Sequence, residues 1–119
     1  MNLPIQVDSS DFTLQSISNW QKVPKRAGYV LLIKWYKCSH CIEYMPKFEQ
    51  FATKHPNIGF LIIESTVNAT MLHQWGELQK PMFEVNGYPT VVLYNSKGDP
   101  YDVVKDRNNL SIEINKMLL

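Results

Sequence analysis

The stretch KWYKCSHCIEYMPKF, residues 34–48, holds the only two cysteines of the 119-residue chain, Cys38 and Cys41. Such a pair can staple a fold, hold a metal or exchange disulfides. A bridge between Cys38 and Cys41 closes too short a loop to remove much entropy from the unfolded chain. A chain of this length, 45% hydrophobic, has no need of one, because it can bury roughly two-thirds of its unfolded surface in a core. A closed zinc site asks for four ligands, often a second cysteine pair or two histidines three to five residues apart. There is no second CxxC, His40 lies between the cysteines, and His55 and His73 stand 18 positions apart. These spacings disfavour metal, and His55 and His73 read as surface or helix-end residues. Exchange chemistry needs a thiolate, so one cysteine must be exposed and have a lowered pKa. A helix N-terminus provides this through its unpaired N–H groups and the positive end of its dipole. The sequence should then run buried strand, CxxC, helix.

Working outward, it does. Upstream, Tyr29-Val30-Leu31-Leu32-Ile33 is an unbroken apolar run after Gly28, as expected of a strand covered on both faces. Downstream, Tyr44, Met45, Phe48, Phe51 and Ala52 recur at helical spacing, with Ser39 as a candidate cap and His55-Pro56 as the stop. Pro46 falls inside this helix and should kink it. Ile58 to Ile63 reads as a second buried strand, and Ala69 to about Leu78 as a short helix with Asn68 as its cap. An irregular stretch with Pro81 follows. Thr90 to Tyr94 and Tyr101 to Val104 flank the turn-forming Asn95-Ser96-Lys97-Gly98-Asp99-Pro100, which predicts a hairpin. Leu110 to Leu119 predicts a closing amphipathic helix with Leu110, Ile114, Met117 and Leu118 on one side. At the front, Ile5-Gln6-Val7 suggests an edge strand and Ile17 to about Lys22 a helix cut short by Pro24. The order is β-α-β-α-β-α-β-β-α. Alternating units imply parallel pairing, and the last hairpin adds an antiparallel edge. Residues 1–119 read as one domain, without repeats or a linker.

Three features in this order resemble the thioredoxin superfamily over nearly the whole chain. They are Cys38-Ser39-His40-Cys41 after a buried strand, Pro46 five residues later, and Gly87-Tyr88-Pro89-Thr90 before the third core strand. The resemblance implies an α/β thioredoxin fold with a central mixed four- to five-stranded sheet flanked by helices. It also implies that Tyr88-Pro89 is a cis peptide lying against the cysteines. His40 before the second cysteine, and the Gly87-Tyr88-Pro89-Thr90 form, are similar to protein disulfide isomerase domains. Arg107 stands where those domains often carry an arginine that tunes the second cysteine. The chain departs from the pattern at Lys37, where the family usually has Trp, and at Ser39, where it usually has Gly. Leu32 occupies the place of a buried acid that serves proton transfer with the second cysteine. That loss either slows turnover or hands the role to another residue.

The function this implies is thiol–disulfide exchange with protein substrates. Cys38 would attack, assisted by positive charge on Lys37 and protonated His40, and Cys41 would resolve the mixed disulfide. Tyr88, Pro89 and Trp35 are the candidate substrate-contacting residues; Lys37, Ser39 and Arg107 are the candidate tuning residues. Trp20 and Trp75 read as core or rim. The alternative is a redox-inactive adaptor or structural component of the same fold, favoured by the changes at Leu32 and Lys37 and opposed by the intact cysteine pair. No metal or bound cofactor is expected beyond the cysteine pair, and an external reductase or glutathione would recycle it. A net charge of +1 without a basic run gives nucleic-acid binding no electrostatic support. No apolar stretch reaches membrane-spanning length. The N-terminus lacks a secretory signal pattern and the C-terminal KMLL is not a retention signal, so a cytoplasmic monomer is expected. Short, divergent relatives encoded by large DNA viruses make a viral or virion-associated setting the other expectation. Asn68-Ala69-Thr70 and Asn109-Leu110-Ser111 match the glycosylation pattern, idle in that setting.

Overall fold

A buried apolar run belongs in the middle of a sheet, and the chain places it there. The computed structural model describes residues 2–65, Val85 and residues 87–119. The strands are β1 (Ile5–Val7), β2 (Phe12–Thr13), β3 (Ser16–Ile17), β4 (Gly28–Lys34), β5 (Ile58–Glu64), β6 (Thr90–Tyr94) and β7 (Pro100–Val103). The helices are α1 (Ser39–Lys54) and α2 (Leu110–Leu118), with 3-10 turns at Ser9–Asp11 and Arg107–Asn109. Five strands form one sheet in the order β1-β5-β4-β6-β7, and β2 and β3 form a separate antiparallel pair. The expected helix over Ala69–Leu78 with its Asn68 cap, Pro81, His73, Trp75 and the first glycosylation pattern lie outside the described residues.

Central β4 pairs parallel with β5 over its whole length, setting Leu32 opposite Ile62 and Lys34 opposite Glu64. Because side chains alternate across a strand, these four share one face. On that face Val30, Leu32, Ile58, Phe60, Ile62, Val91 and Leu93 pack under Tyr44, Phe48 and Ala52 of α1 and Leu110 and Ile114 of α2. Phe48 meets Phe60 edge-on with ring centroids 5.2 Å apart. The opposite face buries Tyr29, Leu31, Ile33, Leu61, Ile63, Val92 and Tyr94 beneath Phe12, Ile17 and Val23. The sheet is therefore covered on both sides, which is why its inner strands show no polar alternation.

Several sequence expectations change. Residues 17–22 form no helix: the Asp11 carbonyl accepts the N–H groups of Ser18 and Asn19, which turns the chain before a helical ladder can start. β6 runs antiparallel to β4, so the antiparallel part of the sheet begins one strand earlier than the alternating order implied. The β2–β3 pair was not expected. Its Leu14 adopts a positive φ of 56°, a conformation that few sequences would advertise with leucine. Leu110 and Ile114 are buried, while Leu118 is exposed. His55 caps the end of α1 and its Nε2 contacts the Ser111 hydroxyl at 2.8 Å. Among the described residues no helix is long and apolar enough to cross a membrane.

Candidate active site

β4 delivers the chain to the start of α1 at Trp35-Tyr36-Lys37, and the helix begins at the first cysteine. Cys38, rather than Ser39, is the N-cap: its sulfur accepts the Cys41 N–H at 3.3 Å, and its own N–H donates to the Trp35 carbonyl at 2.9 Å. A capping position normally filled by a short oxygen side chain is thus filled by a nucleophilic sulfur. Cys38 is partly exposed and Cys41, one turn along, is only 2% exposed.

The two thiols are pushed in opposite directions. The Cys41 thiol donates to Cys38, and this is the largest influence lowering the Cys38 pKa; burial opposes it. The backbone N–H groups of Cys41 and His40 and the positive charge of Arg107 lower it further. Burial pushes Cys41 up to about 11, helped by its bond to Cys38; the Trp35 N–H and the Lys34 charge act against that rise. At neutral pH the exposed sulfur is the better thiolate and the buried one holds its proton.

The Tyr88–Pro89 peptide is cis and stands across from the helix start. The Tyr88 carbonyl lies 3.5 Å from the Cys38 sulfur, and Thr90 Oγ1 donates to the Gly87 carbonyl at 2.6 Å. Trp35, 39% exposed, stacks at a tilt with Tyr88 (centroids 6.5 Å apart) and meets Tyr36 edge-on at 6.3 Å. Arg107 reaches the site from the far end of the fold. The Tyr44 hydroxyl donates to the Arg107 carbonyl at 2.6 Å, and the guanidinium lies over the Tyr44 ring at 5.6 Å.

The structure thus brings Cys38, Cys41, Trp35, Tyr88, Pro89 and Arg107 together. The Lys37 side chain turns elsewhere, while His40 lines a shallow pocket with Tyr44 and Arg107 on the outer side of α1. Lys37 Nζ lies 5.5 Å from the centre of the Tyr36 ring. The His40 ring is 71% exposed, with Nδ1 4.0 Å from Glu43 Oε2, and it is the backbone of His40 that serves Cys38. Ser39 is exposed in the first helical position. Trp20 is remote, packed on Tyr29 and under Lys25. Sequence reasoning overlooked Tyr44, which fixes Arg107, and the pair Lys34–Glu64 beneath the loop. Only their place at a helix face and at two strand ends could have pointed to them. Among the described residues no cluster of His, Cys, Asp and Glu could hold a metal ion.

No family model and no curated protein matches the sequence. Solved structures do. A thioredoxin of Malassezia sympodialis aligns over 98% of this chain and 93% of its own, with a TM-score of 0.68 and 18% identity. Thioredoxin f from spinach chloroplast aligns over 98% and 94%, with a TM-score of 0.72 and 18% identity. A mutant thioredoxin from Halobacterium salinarum aligns over 99% and 93%, again at 0.72 and 18%. With its mixed five-stranded sheet, its covering helices and this structural likeness, the chain has the thioredoxin fold.

Proposed function

We propose that the chain is a thiol–disulfide oxidoreductase that exchanges disulfides with protein substrates through Cys38 and Cys41. The observation that carries this reading is the position of Cys38: its sulfur caps α1, where N–H groups and a nearby guanidinium favour the thiolate, while Cys41 waits buried one turn below. A structural cysteine would gain nothing from such asymmetry.

The Cys38 thiolate attacks one sulfur of a substrate disulfide, forming a mixed disulfide and releasing the other substrate sulfur as a thiolate. Cys41 gives up its proton and attacks the Cys38 sulfur. The Cys38–Cys41 disulfide forms, the second substrate thiolate leaves, and two electrons have passed from the protein to the substrate. The same steps in reverse oxidise a dithiol. A reductase or the glutathione pool then resets the pair. The exposed rings of Trp35, Tyr36 and Tyr88 beside Cys38 suit a polypeptide substrate, and the Tyr88 backbone could pair with it in extended form.

Trapping tests the reading. Cys41→Ser should accumulate mixed disulfides with protein substrates and Cys38→Ser should not; trapping by neither variant would return the chain to the adaptor reading. The direction of exchange follows from thiolate stabilisation, which favours the reduced form and makes the disulfide a stronger oxidant. The pair is therefore proposed to have a potential above the ~−270 mV of thioredoxin. Equilibration in glutathione buffers measures it, and a more oxidising His40→Pro variant would contradict a role for His40 in raising it.

A further inference from the structure

The outer side of α1 carries charge that the exchange steps above do not use. Two shallow depressions adjoin between this side of the helix and the turn Arg107–Asn109. One, of about 150 Å³, is lined by His40, Glu43, Tyr44, Lys47, Arg107 and Asn108. The other, of about 230 Å³, shares Lys47 and Asn108 with it and adds Gln50, Phe51 and Lys54. Along α1 these residues fall at steps of three and four, so they share one helical face and form one groove. The groove begins at His40, in the first turn of the helix whose N-cap is Cys38. Three cations line it, and each has a neutral partner. The Arg107 guanidinium lies over the Tyr44 ring at 5.6 Å, Lys54 Nζ stands 5.8 Å from the centre of the Phe51 ring, and Lys47 Nζ donates to Asn108 Oδ1 at 3.4 Å. None of the three forms an ion pair among the described residues. Glu43 is the one carboxylate in the lining, 4.0 Å from His40 Nδ1. Asp106 flanks the turn, but its oxygens accept from the Asn108 N–H at 3.2 Å and from Asn109 Nδ2 at 2.6 Å. Rings and an amide hold the cations without cancelling their charge, so the groove attracts an anionic partner.

We propose that this groove docks an acidic segment of the protein substrate, next to the cysteine that Cys38 attacks. This rests on the exchange reading above and names the kind of sequence the site prefers. From His40 to Lys54 the helix rises about 21 Å, the length of about six residues of extended chain. A segment of that length beside the reactive cysteine sets its carboxylates against Arg107, Lys47 and Lys54. A nucleic acid fits less well, because Glu43 lies in the groove and a net charge of +1 supplies no wider basic field.

Two synthetic peptides test it. Each carries one cysteine as a thiopyridyl disulfide and a flanking segment of about six residues. The segment is rich in Asp and Glu in one peptide and has Asn and Gln at the same positions in the other. The Cys38 thiolate attacks the peptide sulfur and releases thiopyridone, which absorbance follows; Cys41 then attacks the Cys38 sulfur and frees the peptide thiol, which mass spectrometry follows. The readout is the ratio of thiopyridone release rates, acidic over neutral peptide, so an altered Cys38 reactivity divides out. With the parent at low ionic strength the ratio should be about five, and it should approach one in 1 M salt. Lys47→Gln and Lys54→Gln should each lower it about twofold, and Glu43→Gln should raise it about twofold. Lys97→Gln removes a cation from the turn whose Gly98 carbonyl accepts the Ile17 N–H on the opposite face of the sheet, and should keep the parent's ratio. A parent ratio of one, an equal fall in Lys97→Gln, or tighter binding of a short oligothymidylate than of the acidic peptide would overturn the proposal. A parent that releases thiopyridone but never frees the peptide thiol would overturn the exchange reading beneath it, while the ratio would still report docking.

Discussion

Two polar constellations in this molecule are built from similar parts and finished differently. One surrounds Asp11, which is 1% exposed. Its carboxylate accepts from Lys22 Nζ at 2.8 Å, from the Asp8 N–H at 2.9 Å and from Asn19 Nδ2 at 2.8 Å. Burial pushes the Asp11 carboxyl up, and these partners outweigh it, so its pKa lies below the ordinary value. The other surrounds Cys38, where N–H groups and the Arg107 charge gather on a sulfur that remains partly exposed. The guanidinium of Arg107 has an aromatic face beneath it but no carboxylate partner among the described residues. The first cluster satisfies itself and ties the front segment together from Asp8 to Lys22. The second leaves its nucleophile and its cation facing outward. Polar groups that close on one another stabilise; polar groups left open act on something else.

Substitutions should pull these two roles apart. The largest effect is expected from Cys38→Ser, which removes the attacking sulfur: exchange with glutathione disulfide should fall to background, while the thermal midpoint moves little. Asp11→Ala is the converse. It removes the acceptor of three hydrogen bonds in the front segment, at a cost of about 2 kcal/mol in denaturant unfolding, and should leave the alkylation rate of Cys38 in the folded protein unchanged. A loss of Cys38 reactivity in that variant would break the separation. The same cluster gives stability a pH dependence. A carboxylate with a lowered folded pKa contributes stability that is present above its unfolded pKa and lost as pH falls through the folded value. Acid unfolding of the parent should therefore be steeper than that of Asp11→Asn below about pH 4.

Smaller effects sharpen the comparison at the cysteine end. Arg107→Gln should raise the Cys38 pKa, because the guanidinium favours the thiolate. Alkylation at neutral pH should slow, and the difference should vanish once pH exceeds both pKa values. A shift confined to Cys41 would instead match the arginine role implied by the isomerase-like resemblance.

Much of the scaffold was legible before any coordinates. The apolar run of β4, the helical spacing from Tyr44 to Ala52 and the turn residues around Gly98 each announce one element, because each buries or bends in a way that composition records. The difference in exposure between the two cysteines was legible for the same reason: a strand on one side and a helix on the other fix which sulfur is exposed. Other features depended on contacts between distant residues. Residues 17–22 have a helix-like look, but the Asp11 carbonyl claims their N–H groups. Lys37 sits beside Cys38 in sequence, yet its ammonium lies by the Tyr36 ring. Arg107, nearly seventy positions from Cys38, bears on it through a turn whose carbonyl the Tyr44 hydroxyl holds. Glu64 is a lone acid at a strand end, and nothing in its neighbourhood of sequence marks it.

The central claim is that Cys38 and Cys41 are unequal, one an accessible thiolate and the other a guarded thiol. Alkylation of the reduced protein by iodoacetamide across a pH series, with each cysteine quantified separately by mass spectrometry, tests this most directly. The account predicts that Cys38 is modified first, with an apparent pKa below that of an ordinary thiol, while Cys41 stays unmodified until far more alkaline conditions, its own pKa being about 11. Equal modification of both cysteines, or modification of Cys41 first, would contradict it.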